Sequence, residues 1–156
     1  MADIIPDMIM VVYLISASIT DVLKKKLSRV FLLAGIIPVA VSGVVHGIYF
    51  PAGSSLSEIL GLYSPYAAGL GLGALFIPVS LLTRGRIGMA DAILFCISGA
   101  VSGYAPLMVI IILSFLFGSV YSIAMLAAGR FTGKSRFAFV PFILMGYLAA
   151  IIIFRV

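Results

Sequence analysis

Six apolar runs divide this chain, and each is long enough to cross most or all of a bilayer as a helix. They cover about residues 4–21, 30–46, 62–82, 91–103, 106–128 and 137–154. A helix needs roughly 20 mostly apolar residues to cross a hydrocarbon core of ~30 Å. Charged residues make up 10% of the 156, against about a quarter in a soluble chain. The expected fold is therefore an all-α, polytopic membrane protein of six transmembrane helices joined by short loops. No polar block is long enough to fold separately, so one membrane-embedded domain is expected over residues 1–156. Pro6 fits the opening turn of the first helix, and Ser28 is expected to cap the second. Residues 47–61, with Pro51, Ser54, Ser55, Ser57 and Glu58, form a polar connection before the third. The fourth run is short: about 14 residues rise only ~21 Å, which sets its ends below the membrane surface or in a thinned region.

The net charge of +5 invites a nucleic-acid partner, but the placement of the charges excludes one. Lys24, Lys25, Lys26 and Arg29 follow the first run, Arg84 and Arg86 the third, and Arg130, Lys134 and Arg136 the fifth. Nine of the ten basic residues thus fall on one side, a pattern that reports membrane topology and makes that side cytoplasmic. Asp3, Asp7 and Glu58 fall on the other face. The expected location is the plasma membrane, crossed several times, with both termini outside. Within the third run, Gly69, Gly73 and their small neighbours predict a close helix contact in lipid.

Cys96, the lone cysteine, and His46, the lone histidine, offer no disulfide and no metal-ligand set. Cys96 is expected as a small buried apolar residue and His46 as an interfacial one. No metal and no cofactor is expected. The acidic start, with Asp3 and Asp7, lacks the basic segment of a secretory signal, so the first run is expected to be a retained span.

The chemistry is concentrated in two of the five acidic residues. Asp21 closes the first run and Asp91 opens the fourth, both at the level of the basic loops. A charged side chain at membrane depth costs about 2.5–3.5 kcal/mol on insertion scales, which marks it as a functional candidate. Taken singly, Asp21 reads as a solvated helix end paired with Lys24 or Lys25, and Asp91 as a first-turn residue offsetting a helix dipole. Taken together, they suit aspartyl proteolysis. Two neighbouring carboxylates share one proton; one activates a water for attack on a peptide carbonyl, and the other protonates the leaving amine. Helix-dipole reasoning favours Asp91 as the resting base and Asp21 as the resting acid, whereas the lysines after Asp21 push the other way and the pair titrates as one unit.

Gly88-Met89-Ala90-Asp91 resembles the Gly-x-Gly-Asp signature of the type IV prepilin and preflagellin peptidases, which are membrane aspartyl proteases. The segment from Asp21 through Lys24, Lys25 and Lys26 resembles their other active-site segment. Phe139-Val140-Pro141-Phe142 resembles their proline–phenylalanine element near the last span. The resemblance implies catalytic residues Asp21 and Asp91, an active-site loop of Gly88, Met89 and Ala90, and supporting residues Lys25, Pro141 and Phe142. Ala90 departs from the signature by one methyl, and the lysine often found soon after the second aspartate is absent. The larger members' cysteine-bearing cytoplasmic region is also missing, so the resemblance implies the compact, peptidase-only type. Its substrate would be a prepilin-like, membrane-anchored protein with a basic leader, cut at the cytoplasmic face; a homo-oligomer is compatible with this.

Two competing expectations come from other classes. A small proton- or cation-coupled transporter could use the same acids as a relay, and a non-catalytic subunit of a pilus or secretion assembly could carry them only as helix caps. A near-match to a phosphate-binding loop over 128–135 lacks its first glycine and follows an apolar run where the motif needs a strand.

Overall fold

The computed structural model describes residues 4–24, 29–48, 55–82, 88–129 and 138–155. They form eight helical segments: α1 (Ile4–Lys24), α2 (Arg29–Ala34), α3 (Ile36–Ile48), α4 (Leu56–Ala74), α5 (Phe76–Leu82), α6 (Met89–Ser102), α7 (Tyr104–Ala127) and α8 (Val140–Arg155). The protein is an all-α polytopic membrane protein. α2–α3 and α4–α5 are each one interrupted span, which restores the six expected crossings; four of the six are long and apolar enough to cross a bilayer outright.

Proline chemistry places both interruptions. In an unbroken helix the N–H of residue 38 would bond the carbonyl of residue 34, but Pro38 has no N–H. The chain slips at Gly35, whose own N–H turns to Leu32 at 3.1 Å. Pro78 does the same to Ala74, and the slip falls at Leu75, whose N–H is shared between Gly71 and Leu72. Pro6, Pro106 and Pro141 sit in first turns, where no intrahelical partner is needed.

Three boundaries differ from expectation. α4 begins at Leu56 rather than 62, because Glu58 reaches back to accept the backbone N–H of Ser55 at 2.9 Å and starts the helix early. α1 continues through Asp21 to Lys24, and α8 starts at Val140. The proposed cap Ser28 lies outside the described residues.

The short α6 is the axis of the bundle. Ala92, Leu94, Phe95, Ile97, Ser98, Gly99 and Val101 are all buried, around most of the helix, because its neighbours rather than lipid surround it. This is why 14 residues suffice. The tightest crossing is with α4. A Cβ on Gly73 would lie 2.6 Å from the Cα of Cys96, and Gly69 meets the backbones of Gly99 and Gly103. The expected Gly69–Gly73 contact is thus realised by backbone approach. Cys96 is half-buried rather than buried. α6 turns into α7 through a single residue, Gly103, at φ 86° and ψ 178°, a conformation that residues with a Cβ avoid. At the end of α7, Gly129 takes φ 67° and stops the helix in the left-handed conformation, so a helix and not a strand leads into the near-match at 128–135.

Candidate functional site

Asp91 is the third residue of α6, and its backbone N–H bonds the carbonyl of Gly88 at 3.0 Å. Its carboxylate folds back over Gly88. A Cβ at position 88 would lie 2.6 Å from Oδ2 and 3.2 Å from Cγ. Gly88 has φ −60°, which any residue can adopt, so glycine serves here by making room. Ala90 is half-buried beside it, while Met89 is 49% exposed.

Asp21 is in the last turn of α1, and its Oδ2 accepts the backbone N–H of Val140, the first residue of α8, at 3.3 Å. The free N–H groups of a helix start seek such an acceptor. The positive end of α8 therefore faces Asp21 and offsets the negative end of α1. This removes the basis for assigning Asp21 the resting-acid role from helix polarity: each aspartate faces a helix N-terminus, Asp91 that of its own helix and Asp21 that of α8. The two are near enough for their charges to interact directly.

The proline–phenylalanine element reaches this site by building the start of α8. Pro141 occupies its second position, and the Phe142 ring packs on Tyr121 at 5.4 Å and on Phe139 at 6.2 Å. Phe139 in turn meets Phe115 at 5.4 Å and Phe95, one turn on from Asp91, at 6.4 Å. This aromatic band fixes the α8 start against α6 and α7 beneath the carboxylates. Lys25 lies outside the described residues, as do Arg84, Arg86, Arg130, Lys134 and Arg136.

Among the described residues no three His, Cys, Asp or Glu gather as a metal site. His46 is buried: its Nδ1 lies 2.7 Å from the Ser42 carbonyl and its Nε2 2.7 Å from the Tyr66 hydroxyl, so it joins α3 to α4.

Three polar residues not singled out by sequence reasoning meet away from the site, at the far ends of α1 and α6 and midway along α8. Asp7, 4% exposed, accepts from the Tyr147 hydroxyl at 2.9 Å, and the Ser102 hydroxyl donates to Tyr147 at 2.9 Å. Asp7 was expected only as an acidic residue on the outer face. The signal that could have found it is spacing: Asp7, Met10, Leu14, Ala17 and Asp21 recur at helical intervals along one stripe.

Residues 8–123 match the model of the type IV leader peptidase family. The match contains Asp21, Asp91 and the spans between them, and stops short of α8. Comparison with curated proteins and with solved structures gave no match.

Proposed function

The chain belongs to the type IV leader peptidase family, and from that premise we propose that Asp21 and Asp91 are its catalytic pair. The supporting observation is the meeting of these two acids, 70 positions apart in sequence, at one end of a membrane bundle and within reach of each other's charge. No nucleophilic side chain is needed for the reaction. Water adds to the scissile carbonyl carbon while one carboxylate takes its proton and the other, as the acid, donates to the carbonyl oxygen. The tetrahedral diol returns a hydroxyl proton to the pair as the C–N bond breaks, and the amine leaves with a proton from the pair, which again holds one. The two act as one unit holding one proton. Gly88 gives the Asp91 carboxylate its space, and the Val140 N–H holds that of Asp21.

The substrate class is a prepilin-like protein with a short basic leader and a hydrophobic helix. The distribution of basic loops supports cleavage at the cytoplasmic face, with both termini of this one-domain enzyme outside. Co-expression with such a substrate should give the leader-shortened product. Asp21→Asn and Asp91→Asn should each lower cleavage by about 10³-fold or more, since positioned acid–base groups contribute roughly 10²–10⁴ each. Retained cleavage in either variant would overturn the assignment. A transporter or an assembly subunit would yield no shortened product from any of the three proteins.

A further inference from the structure

We propose that Asp7, Tyr147 and Ser102 are positioning residues that fix the rotation of α1, α6 and α8 about their own axes, and thereby set the approach of Asp21 to Asp91. The consequence for cleavage rests on the catalytic pair proposed above; the rotational lock itself does not.

The first ground is connectivity. Tyr147, 1% exposed, donates to Asp7 on α1 and accepts from Ser102 on α6, so one phenolic oxygen on α8 joins three helices. The contacts between the two ends of these helices are mostly apolar: Met10, Leu14 and Ala17 on α1, Leu94 and Phe95 on α6, Ile143 on α8. Apolar packing tolerates small rotations, whereas hydrogen bonds are directional. The second ground is phase. Asp7 and Asp21 are 14 positions apart, which at 3.6 residues per turn leaves them within about 40° on α1. Asp91 and Ser102 are 11 apart, within about 20° on α6, and Val140 and Tyr147 are 7 apart, also within about 20° on α8. On α1 and α6, the residue held by the polar bridge and the residue at the candidate site therefore share a face; on α8 the site contact is the Val140 backbone N–H, which points along the axis. The third ground is cost. A carboxylate inside a membrane bundle is expensive, and an apolar side chain of similar volume would pack as well. Packing alone does not account for Asp7.

The lever is long enough to matter. A rotation of about 10° on a helix whose side chains reach ~5–6 Å from its axis moves a carboxylate by ~1 Å, and a misplacement of that size can cost about 10²-fold in rate.

The test uses the full-length protein in detergent. Tyr147→Phe and Asp7→Ala should lower kcat on a prepilin-like substrate by about 10- to 100-fold with KM little changed. Asp7→Asn keeps an oxygen acceptor for Tyr147 and should retain kcat within a few-fold. A purely structural role would lower the folded fraction, seen by size-exclusion elution and thermal unfolding, and leave kcat per folded molecule unchanged. A readout independent of activity comes from Asp21→Cys with Asp91→Cys in a Cys96→Ala background. The rate of disulfide formation between these positions should fall several-fold when Tyr147→Phe or Ser102→Ala is added. An unchanged cross-linking rate in folded protein would overturn the proposal. So would an Asp7→Asn protein as slow as Asp7→Ala, because Asp7 would then act through its charge or proton. If cross-linking responds to Tyr147→Phe while Asp21→Asn still cleaves, the rotational lock stands and the catalytic assignment falls.

Discussion

The two ends of α1 carry the same residue type on the same face and treat it in opposite ways. Asp7 is buried and bonded by a tyrosine hydroxyl from another helix. Asp21 is half-exposed, is held by a backbone N–H, and faces another carboxylate. A carboxylate can therefore be a structural clamp or a chemical group according to what surrounds it. A buried acid bonded by side chains of other helices ties those helices together, whereas an acid held by backbone beside a second acid keeps capacity for a proton and a water. Glycines divide along the same line: Gly69 and Gly73 allow helices to touch, and Gly88 allows a carboxylate to lie where it does.

The contrast can be broken at successively weaker points. After the losses expected of Asp21→Asn and Asp91→Asn, the next largest effect should come from Gly88→Ala. The new methyl would meet Oδ2 of Asp91 and push the carboxylate aside, so cleavage should fall by about 10- to 100-fold, while the unfolding temperature in detergent stays near that of the parent. A parent-like rate would mean that the carboxylate position over Gly88 is irrelevant to the chemistry. Gly73→Ala should do the reverse. Its Cβ would press on the backbone of Cys96, costing about 1–3 kcal/mol of stability by overpacking. Gly71→Ala, with nothing within 4 Å, should leave unfolding unchanged. Equal unfolding curves for the two would refute the close α4–α6 crossing. The smallest effect belongs to Glu58→Ala at the start of α4, about 0.5–1 kcal/mol from loss of the bond to Ser55, with cleavage untouched.

Much of the fold was legible in the sequence because lipid imposes one rule on every residue it touches. The six spans follow from apolar run length, and Gly69 and Gly73 announce a close helix contact without naming α6 as the partner. The helix interruptions at Gly35 and Leu75 were equally available, three positions before Pro38 and Pro78, but run length hides a break that leaves the span apolar. The start of α4 was misplaced because residues 56–61 look like a polar connection until Glu58 is seen as a partner for Ser55. At the site, Asp21 and Asp91 stood out because charge is rare here, and Gly88 because the segment it opens resembles a family signature. Val140 could not stand out, since it acts through its backbone N–H, a group every non-proline residue has. Tyr147 and Ser102 were hidden for a related reason: hydroxyls are common, and only packing decides which of them meet.

By itself the sequence determined that this chain lives in a membrane as six helices and that two of its acids are out of place there, because burial of charge in hydrocarbon is costly wherever it occurs. Which helix is central, which N–H holds Asp21, and that Asp7 is tied to Tyr147 and Ser102 were decided only by the tertiary structure. Those relations depend on the rotation and approach of helices far apart in the chain, and local residue preferences carry no information about either.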